Sequence, residues 1–425
     1  MQPVKRIVDP VAARTALFEE LRRTDDRLLD FCTGLVRVPS ENPPGDTRAI
    51  AAHLEAVLKP LGADVRVIAG QPTMPNVVAV TRGHRPGRRL VFNGHLDTFV
   101  VGDRAQWTVD PLGGVIKDGR VYGRGVSDMK GGMAAALLAF ELLHRYREYW
   151  AGELVLTFAS DEETMGRWGT AYLLETVPEA RGDAMVCGDA GSPMVIRLGE
   201  KGLVWLRLIA EGRAAHGAHV HLGDNAVERL IEALGSLTAL RHLPVPTPAA
   251  IAAAIAEARE VSERQAGKGE TEVLTSVTVN IGTVAGGAKV NLVPARATAE
   301  VDVRLPVGVS TETCLAEAQR RIADIPGVKI EVLRRFEPNY TDPGHEIFRL
   351  LRDNAETLSG RRPVVTMRVG ASDARLYRLT GIPAAVYGPA PYNMGAPDEY
   401  ITLEDLMLVG RVHALTAFDF LSTAG

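Results

Sequence analysis

Several stretches of the chain gather side chains of the kind that hold divalent ions. Gly94-His95-Leu96-Asp97 closes an apolar run from Val91, so an imidazole and a carboxylate stand two residues apart where a strand would end. Strand side chains alternate faces, so the two point the same way, and a carboxylate beside an imidazole fixes its tautomer for metal binding. Alone, His-x-Asp near a strand end is more often an ordinary hydrogen-bonded pair than a metal site. The pattern recurs: Leu154 to Phe158 runs into Asp161-Glu162-Glu163, and Ala184 to Gly188 delivers Asp189. Adjacent carboxylates repel one another unless a cation sits among them, although a solvated charge run is the plain alternative. Asp128 directly precedes a helical run from Met129 to Tyr146, where a helix cap is the competing role. Independent strand ends that each offer a metal-type ligand point to metal chemistry more strongly than any one of them.

The elements that must position these residues are legible from hydrophobic periodicity. Strands are predicted at Val65 to Ile68, Asn76 to Val80 and Arg89 to Phe92, with helices at Val11 to Val36 and Thr47 to Leu61. Strands alternating with helices imply a largely parallel α/β sheet, whose sites form beyond the carboxyl ends of the strands. His95, Glu162, Glu163 and Asp189 would share that rim, with Asp128 on a neighbouring loop. From Glu200 the texture changes. Strand Gly202 to Ile209, helix Asn225 to Leu240, strands Thr275 to Gly282 and Ala297 to Leu305, helix Thr311 to Ile325 and strand Val328 to Leu333 give the ferredoxin-like βαββαβ order. Pro248 to Gly267 is predicted as a helical insertion. After Pro343 the chain returns to the first domain, with helices at His345 to Leu358 and Leu403 to Phe420. The expected domains are therefore 1–199 with 338–425, and an inserted 200–337.

Composition limits the classes of function. With 425 residues, a net charge of −4 and no basic block, the composition argues against a nucleic-acid surface. No apolar run reaches the length that crosses a bilayer. Cys32, Cys187 and Cys314 are odd in number and far apart, which suits a reducing compartment. Met1-Gln2-Pro3-Val4-Lys5-Arg6 lacks the apolar core of a signal peptide, so a cytoplasmic protein is expected.

Taken together these stretches resemble the peptidase M20 family of metal-dependent deacylases, desuccinylases and carboxypeptidases. The resemblance rests on Gly94 to Thr98, Tyr122-Gly123-Arg124-Gly125-Val126-Ser127-Asp128-Met129-Lys130-Gly131 and Asp161-Glu162-Glu163. It also rests on Ala215-His216 with Gly223-Asp224-Asn225-Ala226, and on Gly286 to Pro294 leading to Arg304. It implies an α/β metallohydrolase domain with a ferredoxin-like lid or dimerisation domain. Asp128 would bridge two metals, His95 and Asp189 would complete the first site, and Glu163 would belong to the second. Asp97 would orient His95, and Glu162 would be the general base. His216 would reach the active site of a partner subunit in a homodimer or larger homo-oligomer, and Asn291 and Arg304 would hold the carboxylate of a small-molecule substrate.

One position departs from the pattern. The family places a histidine, a ligand of the second metal, four residues before a closing glutamate. Here Asn393-Met394-Gly395-Ala396-Pro397-Asp398-Glu399 puts Gly395 there. Glycine offers no side chain, and the Met394 thioether suits a carboxylate-rich site poorly. One functional ion, Zn, Mn or Co, is therefore expected. Hydrolysis of an N-acyl amino acid or small peptide is the activity implied. The alternatives are an aminohydrolase resembling 5-nitroanthranilate aminohydrolase, which releases ammonia from an amino-aromatic acid, and a non-catalytic binding protein with a decayed site.

Overall fold

The computed structural model describes residues 9–422, so the segment Met1 to Arg6 lies outside the described residues. The described chain forms two compact units. The first runs to Leu198 and includes Thr341–Thr366 and the residues from Ser372; the second is Gly199–Tyr340 with Met367–Ala371.

The first unit is built on a mixed sheet. Asp64–Gln71 pairs antiparallel with Met74–Arg82, which pairs antiparallel with Glu153–Ala159. From there the pairing is parallel: Glu153–Ala159, Arg89–His95, Ala184–Cys187 and Ala384–Val386 lie side by side. These central strands are buried on both faces, which is why they read as continuous apolar runs rather than alternating ones. The helix Gly131–Arg145 is apolar almost all round and packs between the sheet and the closing helix Leu403–Ser422. Its first turn presses against the strand end that carries Asp189. A Cβ on Gly132 would stand 1.9 Å from the Gly188 carbonyl oxygen, so only glycine permits this approach.

Two expected boundaries shift. The single helix predicted over Val11 to Val36 is two, Pro10–Glu20 and Asp25–Val36, divided by a short 3-10 turn. Thr24 donates its hydroxyl to the Leu21 carbonyl, and Asp25 and Asp26 then occupy the positive end of the second helix. In the second unit the strand predicted from Thr275 begins at Thr278, because Glu270–Thr275 forms a helical turn. The buried Lys201 ammonium donates to the carbonyls of Val273 and Ser276 at the end of that turn, satisfying groups a helix terminus leaves open.

The second unit otherwise follows the βαββαβ order. Its antiparallel sheet runs Thr278–Gly286, Arg296–Leu305, Gly202–Glu211, Val328–Phe336. Helices Ala226–Thr238 and Thr311–Ile322 pack on a core that includes Val204, Leu206, Leu208, Leu230, Leu237 and Val303. Ala249–Ala266 is the expected helical insertion. No helix among the described residues is long and apolar enough to cross a membrane.

His413 is buried in the closing helix and stacked on Phe92, with Nε2 donating to the Tyr387 carbonyl at 2.8 Å. Burial lowers its pKa to about 4. The unfolded chain therefore binds a proton between pH about 6.5 and 4 that the folded chain does not, and stability falls as pH drops through that window. His413→Leu should flatten this part of the acid-unfolding curve, measured as the midpoint denaturant concentration against pH. An unchanged slope would mean that His413 is not buried in its neutral form.

Candidate metal centre

The strand register brings the candidate ligands together. In the parallel trio His95 pairs with Ala159 and Asn93 with Cys187, so the strands end level with one another. His95, the Asp161–Glu163 turn and Asp189 thus emerge at neighbouring points on one edge, as the sequence predicts. Asp128 arrives from the turn Val126–Lys130 with non-helical backbone angles. It is not a cap: the helix begins at Gly131, two residues beyond Met129. Its Oδ1 lies 3.0 Å from His95 Nε2. Ligand atoms of His95, Asp128 and Asp189 all fall within 4.8 Å of one another, the one such group among the described residues.

Asp97 is completely buried and does more than face the histidine. His95 Nδ1 donates to the Asp97 carbonyl at 2.8 Å, while the carboxylate lies 3.5 Å from the same nitrogen. The carboxylate accepts from the backbone amides of Glu162 and Glu163, each at 3.1 Å, and from the Asn42 side chain at 2.9 Å. One residue therefore fixes both the imidazole tautomer and the acidic turn. Asp161 separates from its neighbours. Its carboxylate accepts from the amides of Trp168 and Gly169 at 2.8 Å, and burial raises its pKa to about 7. It shapes the turn, while Glu162 and Glu163 line the site.

The electrostatics of the cluster call for a cation. Burial pushes the carboxyl groups of Glu162 and Glu163 up, Glu162 well above the usual range, with His95 partly offsetting both. Burial alone would lower the His95 pKa, yet the carboxylates of Asp128 and Asp97 hold it well above the ordinary value. Glu163 Oε1 is buried with no hydrogen-bond partner. Buried charges are ordinarily paired or bound to metal, and an imidazole with two carboxylates, an orphaned carboxylate oxygen beside them, fits a divalent transition ion.

Two residues of this neighbourhood, Arg375 and Asn42, are not apparent from the sequence. Arg375 is buried, with Nη1 3.6 Å from Glu162 Oε1, and donates to the carbonyls of Ser372 at 2.6 Å and Met165 at 2.8 Å. Asp373 accepts from the Thr170 hydroxyl at 2.6 Å. Asn42 braces Asp97. The one available signal was the charged Asp-x-Arg of Asp373 and Arg375.

A family model described as Peptidase family M20/M25/M40 matches residues 91–419. The chain belongs to this family. The succinyl-diaminopimelate desuccinylase of Gluconacetobacter diazotrophicus is 32% identical over 398 residues, covering 91% of this chain and 95% of the relative. Among solved structures, the M20 metallo-carboxypeptidase Sso-CP2 from Sulfolobus solfataricus has a TM-score of 0.78 at 20% identity, covering 93% of this chain and 99% of that one. The YXEP protein of Bacillus subtilis, described as a dinuclear metal binding peptidase from the M20 family, has a TM-score of 0.66 at 15% identity, covering 95% and 99%. These structures share the fold. The M20 assignment makes the chain a metal-dependent hydrolase.

His216, Asn291 and Arg304 lie in the second unit. His216 pairs with Leu292 in a two-residue ladder, and the Gly217 amide donates to the Asn291 carbonyl at 2.8 Å, so His216 and Asn291 are neighbours. Arg304 Nε donates to Asp302 at 3.0 Å on the same face of its strand.

Proposed function

We propose that this M20 hydrolase is a deacylase of N-acyl amino acids or small peptides. It works with one divalent ion, Zn, Mn or Co, held by His95, Asp128 and Asp189, with Glu162 as general base. The observation that carries this reading is the convergence of those three ligands beside a buried glutamate outside the set. Three protein ligands leave room for water and substrate, the pattern of an open catalytic site. The similarity to a desuccinylase supports an amide bond as the target.

When bound, the ion supplies Lewis acidity toward an acyl carbonyl and lowers the pKa of a water. The chain supplies the rest. Glu162 accepts the proton of the attacking water and returns it to the leaving nitrogen. Arg375 and the Asp97-held turn keep the Glu162 carboxylate in place. His216, from a partner subunit of a homodimer or larger homo-oligomer, donates to the oxygen on which charge develops. Asn291 and Arg304 hold the substrate carboxylate. If His216 acts across subunits, mixing the inactive variants Glu162→Gln and His216→Ala restores turnover that neither has alone.

A second ion would find only Glu163 and a share of Asp128. Gly395 has φ +76° and a carbonyl tied to Arg124 at 3.1 Å, and a Cβ there would meet the Phe99 ring at 3.6 Å. Gly395→His therefore places an L side chain in left-handed backbone, at a cost of roughly 1–2 kcal/mol. Thermal unfolding should fall accordingly, with metal content unchanged at one equivalent.

The test of the function is turnover of a panel of acyl amino acids by protein of known metal content. One equivalent of ion, lost in His95→Ala, with acyl release is expected. Two tightly bound equivalents would overturn the single-ion reading. Ammonia release from an amino-aromatic acid, without turnover of acyl amino acids, would overturn the deacylase reading.

A further inference from the structure

Glu399 closes the loop in which Gly395 sits, and its side chain is only 1% exposed. Its carboxylate is surrounded by donors. Oε2 accepts from Arg124 Nη1 at 2.6 Å and the Gly125 amide at 3.2 Å; Oε1 accepts from the Ser127 amide at 3.0 Å and the Ser127 hydroxyl at 2.8 Å. The Gly123 amide donates to the Glu399 carbonyl at 3.0 Å, and Tyr400–Thr402 continues as a strand beside Arg120–Tyr122. Arg124 is itself buried, stands over the Trp107 ring and spends its other terminal nitrogen on the Gly395 carbonyl. The residue that follows this turn is Asp128.

We propose that Glu399 is a positioning residue for Asp128: by gathering donors of Arg124, Gly125 and Ser127 around one buried carboxylate, it aims Asp128 at His95 and tunes ion affinity without touching the ion. The inference rests on the metal-centre reading above. The turn's own backbone bonds run from the Val126 amide to the Gly123 carbonyl at 3.2 Å and from the Lys130 amide to the Gly125 carbonyl at 2.8 Å, while the Gly125 and Ser127 amides go to Glu399; Asp128 leaves the turn with φ −133° and ψ 87°, outside the helical region. The same carboxylate fastens the loop through Arg124 and the Gly395 carbonyl. The loop is thus anchored to the centre from behind, with no side chain required at position 395. Partners that hydrogen-bond a ligand directly usually change metal affinity 10–100-fold when removed, and Glu399 acts on Asp128 through the turn that carries it.

A purely structural ion pair would behave differently, since breaking it leaves the buried Arg124 charge without its partner and would lower the unfolding temperature alone. The experiment measures Mn²⁺ dissociation constants by calorimetry, and unfolding temperatures without metal, for the full chain. Glu399→Gln keeps the shape and one acceptor but loses the charge that holds Arg124; its Mn²⁺ dissociation constant is expected to rise about 10–100-fold. Ser127→Ala removes one hydroxyl donor and buries no charge, so it tests the same link if the first variant fails to fold; a rise of severalfold is expected. A dissociation constant within twofold of the parent in a folded Glu399→Gln, or unchanged in Ser127→Ala, would overturn the proposal whatever the unfolding temperature does. A parent protein with no Mn²⁺ binding sensitive to His95→Ala would instead remove the centre itself, and the proposal with it.

Discussion

Glu162→Gln is expected to lower kcat by about 10²–10⁴-fold, the usual contribution of a positioned proton acceptor, while metal content and KM stay close to the parent. Glutamine keeps the volume and the backbone amide that Asp97 holds at 3.1 Å. It also keeps an oxygen that can face Arg375. It loses only the ability to take a proton. The parent side chain is suited to that task by its surroundings, since burial raises the carboxyl well above the usual range while His95 and Arg375 restrain the rise. Glu162 is not among the residues whose ligand atoms converge, so the ion should remain bound in the variant. Steady-state kinetics with metal analysis on the same sample separates the cases. A variant as active as the parent would remove Glu162 from the mechanism. One that loses its ion would make Glu162 a ligand rather than a base.

The positions of His95, Asp128 and Asp189 were legible because each follows or precedes an element with an unambiguous pattern. Parallel strands buried on both faces are written as unbroken apolar runs, so their ends, and the ligands just past them, can be read directly. Side chains whose role depends on distant contacts were not legible. Asp161 looks like Glu162 and Glu163 in the sequence, and only the Trp168 and Gly169 amides, which reach it after a turn, mark it as structural. Arg375 lies more than 200 residues from the Met165 carbonyl it bonds, and nothing local predicts its approach to Glu162. The same limit applies to the helix boundary at Thr24, set by one hydroxyl, and to the turn at Glu270–Thr275, closed by Lys201. The departure at Gly395 was visible as a missing ligand. That its backbone is left-handed and its carbonyl held by Arg124 could be seen only in three dimensions.

Asp128→Ala should remove most of the stabilisation that a bound ion confers, and turnover with it. The parent, at an ion concentration 100 times its dissociation constant, gains about 2.7 kcal/mol of stability from binding. Removing an outer partner of a ligand already costs about 10–100-fold in affinity, so removing a ligand itself costs at least that upper figure. The variant at the same ion concentration is then at most half loaded, and its gain shrinks to about 0.4 kcal/mol or less. His95 and Asp189 alone cannot make the three-ligand open site. The loss is also not one of packing, because the Asp128 side chain is small and only partly buried, with Oδ1 directed at His95 Nε2. Asp128→Asn makes the distinction sharper: it keeps an oxygen at hydrogen-bond distance from the imidazole but removes the charge, and should fail to bind the ion nearly as completely as alanine. Thermal unfolding with and without added Mn²⁺ reads out both variants. A metal-induced shift in Asp128→Asn equal to that of the parent would mean that the ion is held elsewhere, and that the converging trio of His95, Asp128 and Asp189 is a hydrogen-bonded cluster and not a metal centre.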